Sequence, residues 1–189
     1  EITGLRTPET TAQRSALGAL RAAVELARSA VDEQADVDVW STRDERIQSA
    51  QMVRAQIHAL SRDVDIASVK TGMLATAEIV EAVTDAVTRL DRPPVVVDPV
   101  MTASAAGMRT LLAPDAVSIL KTRLLPAAMV VTPNVEEASI LSGRQVESLS
   151  DWREAAKYIA QLGPAAVVIT GGHMSGSEAI DLLYYDGAF

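Results

Sequence analysis

The sequence predicts an α/β fold in which a mostly parallel central sheet carries helices on both faces, a three-layer arrangement. Three observations lead there. Short β-branched runs, of which Val95-Val96-Val97 is the strongest, read as strands buried on both faces. Between them lie stretches whose apolar residues recur every three to four positions, the period of amphipathic helices. Glycine or proline stands at many of the junctions, and a β–α–β unit with this spacing closes by a right-handed crossover in nearly all proteins.

Residues 1–8 are a polar lead-in ending at Pro8, and residues 9–31 place Ala16, Leu17, Leu20, Ala23, Val24, Ala27 and Val31 on one stripe of an amphipathic helix. Residues 35–40 alternate Val37 and Val39 with Asp36 and Asp38, which is the pattern of a half-exposed strand. Ser41 or Thr42 caps the next helix, which runs to about Leu60 and turns Ile47, Val53, Ile57 and Leu60 inward. A strand over 64–70 closes at Thr71-Gly72-Met73. Thr76 then caps a helix over 77–90 whose buried stripe is Ile79, Val80, Val83, Val87 and Leu90.

The strand over 95–98 follows, and after it a loop of small residues from Thr102 to Thr110 suits either a mobile cover or an ordinary surface loop. Pro114 at the first helical position, with Asp115 in the first turn, predicts a helix to about Leu124. A short buried strand over 127–131 leads through Thr132-Pro133-Asn134 into a helix that ends near Gly143. Ser150 or Asp151 starts a helix to about Leu162, with Trp152, Ala155, Ala156, Ile159 and Leu162 inward, and Gly163-Pro164 stops it. A strand over 165–169, the turn Thr170-Gly171-Gly172-His173 and an edge strand over 179–185 closed by Asp186-Gly187 complete the order. With no internal repeat and no long linker, residues 1–189 read as a single domain.

Composition narrows the function classes. With 48% hydrophobic and 22% charged residues the chain can fold around a core, and no uninterrupted apolar run reaches the roughly 18 residues of a spanning helix. Neither a membrane segment nor the basic start and apolar core of a signal peptide is expected, which makes the cytoplasm the expected compartment. A net charge of -8 argues against a nucleic-acid partner, whose phosphates are held mainly by Lys and Arg. Nucleotides and small phosphate esters remain open, because backbone N–H groups and Mg2+ hold them in acidic proteins as well. There is no cysteine, and His58 and His173 are too few for a histidine metal cluster.

The carboxylate of Asp98 follows three valines at the carboxyl end of a strand, where open α/β sheets bind ligands. A charge in that position needs a cation, a polar crevice, or a salt bridge at the strand end. Asn134 and Glu137 lie one helical turn apart after the next strand and offer oxygen ligands of the kind Mg2+ prefers. Glu136 competes for that role, and a first-turn glutamate also favours any helix through its dipole. Gly171 and Gly172 follow another strand and either present N–H groups to a phosphate or merely turn the chain. Lys70 either attracts an anion or is solvated, Met73 reads as an apolar wall, and His173 is a phosphate neighbour or a loop residue.

Four stretches together resemble the hydroxymethylpyrimidine/phosphomethylpyrimidine kinases of thiamine biosynthesis, within the ribokinase-like superfamily. They are Val69-Lys70-Thr71-Gly72-Met73-Leu74, Val96-Val97-Asp98-Pro99-Val100-Met101, Val131-Thr132-Pro133-Asn134-Val135-Glu136-Glu137-Ala138, and Gly171-Gly172-His173 followed by Asp181-Leu182-Leu183-Tyr184-Tyr185-Asp186-Gly187. Their succession covers about residues 46–187. The resemblance implies a three-layer ribokinase-like fold and transfer of the ATP γ-phosphate to an aminopyrimidine alcohol or its monophosphate. It implies that Asp98 and Glu137 organise Mg2+ and its waters and that Asn134 lies by the nucleotide phosphates; with the residue readings above, Lys70, Asp98, Asn134, Gly171 and Gly172 are the expected cofactor-side group. Gly72, Met73 and Val100 would flank the pyrimidine, the loop from Thr102 would form the family's flap, and a homodimer is expected by analogy.

Some family features have no counterpart. Nothing in residues 1–45 matches the glycine-rich opening segment or the Gln-Asn-Thr segment of such kinases, and Thr170 stands where a lysine is common. The family's Gly-Thr-Gly-Cys segment, which forms the anion hole and carries the residue usually regarded as catalytic, is not matched either, so the catalytic residue is unassigned. The domain is therefore expected to be incomplete or divergent at both ends. A pyridoxal/pyridoxine kinase and a non-catalytic binding scaffold are the competing readings.

Overall fold

The valine run that reads most clearly as a strand is the second of five in the central sheet. A computed structural model describes residues 50–91, 93–103, 109–171 and 180–189. The helix expected over 9–31, the strand over 35–40, Ile47, the middle of the Thr102 loop, Gly172 and His173 lie outside the described residues.

The described chain runs α1 (Ala50–Asp63), β1 (Val69–Thr71), α2 (Ala77–Val87), β2 (Val95–Val97), β3 (Thr102–Ala103), β4 (Arg109–Thr110) and α3 (Pro114–Ile119). A π-helical turn (Leu120–Leu124) and a 3-10 turn (Leu125–Ala127) extend α3 before β5 (Val130–Val131), α4 (Val135–Ser142), α5 (Leu149–Ala160), β6 (Ala166–Thr170) and β7 (Asp181–Tyr185).

The sheet order is β1-β2-β5-β6-β7, with the first four strands parallel and β7 antiparallel to β6. Helices flank this mostly parallel sheet, consistent with the expected three-layer α/β fold, although the described helices all pack in the cluster on one face and none contributes to the cluster on the other. Each parallel connection steps the same way across the sheet, so right-handed crossovers place the connecting helices on one face. The packing agrees. Val95, Val97, Val131, Val167 and Ile169 share one cluster with Val80 of α2, Ala116 of α3, Leu141 of α4 and Ile159 of α5. The intervening side chains Val96, Val130 and Ala166 form a smaller cluster on the opposite face with Met129, Val168, Leu183 and Tyr185. Full burial of the three valines of β2 removes them from water on both sides, at about 1.5–3 kcal/mol each.

Several boundaries move for local reasons. Helix α1 continues past Leu60, which is 60% exposed rather than inward, while Val53 and Ile57 do pack on the core. The helix leans on α2, where Arg54 meets Asp85 at 3.5 Å. Val64 donates its N–H to the Leu60 carbonyl at the helix end, and pairing in β1 begins only at Val69. The helix after Thr76 ends at Val87, short of Leu90. Leu125-Pro126-Ala127 coil into the 3-10 turn, so β5 starts at Val130 instead of residue 127. Ser148, not Ser150 or Asp151, caps α5, because Ser148 and Asp151 form a reciprocal capping box. The predicted caps at Thr76 and Asn134 and the left-handed stop at Gly143 are all present. No helix among the described residues is long and apolar enough to cross a membrane.

Candidate active site

Parallel strands align their carboxyl ends, and β1, β2, β5 and β6 bring the loops that carry the singled-out residues to one edge of the sheet. Lys70 lies opposite Val96 in the β1–β2 register, and its Nζ reaches Oδ2 of Asp98, just beyond β2, at 3.0 Å. Their side chains are 20% and 28% exposed, so the pair is partly withdrawn from bulk water. Asp98 also donates its N–H to the Thr71 carbonyl at 3.3 Å, holding the strand end against β1. The salt bridge that the sequence left open for Asp98 is thus made, and it joins two of the predicted cofactor-side residues.

The second group comes from the start of α4. Asn134 Oδ1 accepts the N–H of Glu137 at 2.9 Å, and Glu137 Oε2 accepts the N–H of Asn134 at 2.9 Å, a complete capping box. The other oxygen, Oε1, accepts the N–H of Met101 at 3.2 Å. Burial is the main reason that the Glu137 carboxyl is raised from 4.5 to about 7. The two backbone donors oppose the rise, and the nearby charges of Asp98 and Glu136 add to it. Glu136 itself is exposed and accepts a long 3.4 Å hydrogen bond from the Thr102 hydroxyl.

Gly171 lies at the end of β6, where Thr170 donates its N–H to the Pro133 carbonyl at 2.9 Å and so joins this strand end to the approach to α4. The Gly171 N–H is engaged by Asp181 Oδ1 at 3.2 Å, a contact the sequence did not signal. A Cβ at Gly171 would strike the Ile180 carbonyl oxygen and stand 2.6 Å from the Trp152 ring. Its lack of a side chain therefore serves close packing at this corner.

On the substrate side of the expected pocket, Gly72 and Val100 are half-buried and Met73 is 47% exposed. A methyl built on Gly72 meets nothing within 4 Å, which leaves open space beside the β1 end. Ala75 has φ 57 at the centre of a tight turn, in which Thr76 donates its N–H to the Leu74 carbonyl at 2.6 Å. The Ala75 carbonyl accepts the Ala113 N–H at 2.9 Å, fastening the loop to the start of α3. Sequence reasoning missed Ala75, since alanine carries no signal for a left-handed conformation.

The donor set fits Mg2+. Asp98, Glu136 and Glu137 concentrate negative charge that a cation would relieve, and all offer oxygen. Among the described residues no three carboxylate or imidazole groups form a ready-made cage. An ion here would draw most of its ligands from water and phosphate, as Mg2+ commonly does.

Comparison with known proteins gives this arrangement a family. A hydroxymethylpyrimidine/phosphomethylpyrimidine kinase from Rhizobium meliloti is 41% identical over 140 residues, covering 74% of this chain and 51% of the relative. A crystal structure of a phosphomethylpyrimidine kinase from Clostridium difficile 630 superposes with a TM-score of 0.65 at 33% identity, over 74% of this chain and 59% of that one. An ADP complex of Bacillus subtilis pyridoxal kinase gives 0.64 at 38% identity, over 74% and 52%. The chain spans about half the length of most of the curated relatives it matches. The family model described as phosphomethylpyrimidine kinase matches residues 18–189, reaching further toward the N-terminus than the four motifs do. With that match extending through every strand end described above, the chain belongs to the phosphomethylpyrimidine kinase family.

Proposed function

We propose that this protein transfers the γ-phosphate of ATP to the hydroxymethyl group of 4-amino-5-hydroxymethyl-2-methylpyrimidine, or to the corresponding monophosphate. The observation that carries the reading is the meeting of Lys70 and Asp98 at the strand ends. Family membership supplies the reaction class. Mg2+ bound in the negative field of Asp98 and Glu137 would offset phosphate charge. Lys70 adds a positive charge on the phosphate side, and Asn134 sets the start of α4, whose dipole favours an anion. Gly72, Met73 and Val100 form the wall for the heteroaromatic ring. Such a site works by positioning and charge neutralisation more than by covalent chemistry. A cytoplasmic location and a homodimer belong to the same proposal.

The likeness to pyridoxal kinase favours one second reading, in which pyridoxal is the alcohol. Parallel reactions with ATP and either pyrimidine phosphate or pyridoxal, with and without Mg2+, separate the two by mass spectrometry of the products. The expected outcome is Mg2+-dependent pyrimidine diphosphate and a higher kcat/KM than with pyridoxal. A preference for pyridoxal overturns the substrate assignment. A folded sample that phosphorylates neither overturns the activity and leaves a non-catalytic scaffold.

A further inference from the structure

We infer that Glu137 is a positioning residue that staples the loop of residues 98–101 to the start of α4 and thereby holds Asp98 in place. The inference deepens the proposed reaction, on which it rests only for the task given to Asp98. Glu137 is 4% exposed, and each of its carboxylate oxygens already accepts a backbone N–H. A capping box accounts for one of these, the N–H of Asn134. The other oxygen spans two strand-end loops to reach Met101, 36 residues away in the chain.

Met101 is a junction. Its side chain is 2% exposed, and its carbonyl accepts the N–H of Leu111 at 2.8 Å and of Leu112 at 3.4 Å. The N–H that Glu137 holds therefore belongs to the residue from which β3 departs and to which the chain returns after β4. The loop is tied at its other end by the Asp98 N–H on the Thr71 carbonyl. Without Glu137 the tie to α4 would fall to the long, exposed Thr102–Glu136 hydrogen bond one residue further on, and a buried Met101 N–H would lose a charged acceptor, the stronger kind of hydrogen bond. A cation that ligated Glu137 directly would have to share the oxygens that the two amides already occupy. Its charge acts on the crevice as a field, and its geometry acts through Asp98.

The test measures amide exchange at Met101 by NMR and Mn2+ affinity by direct titration in three variants. In Glu137→Gln one oxygen remains and the side-chain NH2 opposes the second amide; Glu136→Gln removes the same charge from the exposed neighbour; Glu137→Asp keeps the charge but is one methylene short. Met101 exchange is expected to rise about tenfold in both Glu137 variants and to stay at the wild-type rate in Glu136→Gln. Mn2+ affinity, titrated at about pH 8.5 where the Glu137 carboxyl is ionised, is expected to fall by a similar factor, about twofold to fivefold, in the two Gln variants, since each then loses one charge. Wild-type exchange in both Glu137 variants overturns the inference, as does a loss of Mn2+ affinity in Glu137→Gln about tenfold beyond that of Glu136→Gln. Neither readout needs turnover, so the staple is decided even if the proposed reaction fails. Where turnover is found, Glu137→Asp is expected to lower kcat about tenfold and keep the KM for ATP within about twofold. A raised KM with unchanged kcat overturns the inference.

Discussion

Glu137 and Asp98 show how differently two carboxylates of one crevice are written into the chain. Asp98 was legible because a charge directly after three buried valines demands a partner, and Lys70 supplies it at 3.0 Å. The bond from Glu137 to Met101 was not legible, because nothing in local spacing links residues 36 apart. Its burial has a consequence for stability. The folded-state value of about 7 lies above the ordinary 4.5, so between these two values the folded chain keeps a proton that the unfolded chain has released. The stabilisation is full below about pH 4.5 and is lost as pH rises through 7, with a total on the order of 3 kcal/mol. Thermal midpoints at pH 5.5 and pH 8 should therefore fall more in wild type than in Glu137→Gln, whose amide does not titrate. Equal falls would contradict the raised value.

At the scale of elements, caps and stops were more legible than strand ends. Thr76, Asn134 and Gly143 act locally through one side chain or one backbone angle, and each lies where local chemistry puts it. Ser148 was missed for a physical reason: Ser150 and Asp151 are also good N-terminal residues, and only the reciprocal bond between Ser148 and Asp151 selects the start. Strands were drawn too long because apolar alternation reports burial, whereas pairing depends on a neighbour that the local pattern does not name. Two substitutions test the element scale. Asn134→Ala and Ser148→Ala should each cost about 1 kcal/mol in denaturant unfolding, but only the first should also depress phosphoryl transfer. Equal kinetic effects from both would detach the α4 start from the site. Gly171→Ala should destabilise by at least about 2 kcal/mol, since its methyl would meet the Ile180 carbonyl and Trp152. An unchanged unfolding midpoint would show that this corner yields.

For the whole molecule, alternation of strands and helices announced the mostly parallel sheet, and the order β1-β2-β5-β6 realises it with neighbouring strands in chain sequence. That order was not legible, because strand periodicity carries no information about which edge pairs with which. Its consequence is functional: four parallel strands finishing together bring Lys70, Asp98, Asn134 and Gly171 to one edge from positions 101 residues apart between first and last (171 − 70). Gly72, Met73 and Val100, proposed to flank the substrate ring, share that edge, while Gly172 and His173 lie outside the described residues. The most direct measurement of the central claim is Mg2+-dependent phosphorylation of the pyrimidine phosphate by wild type and by Asp98→Asn, with unfolding recorded on the same samples. The expected result is product from wild type and a rate at least about a hundredfold lower in the variant, with folding stability changed by no more than about 1 kcal/mol. Wild-type turnover in Asp98→Asn would contradict the assignment of this crevice as the catalytic site.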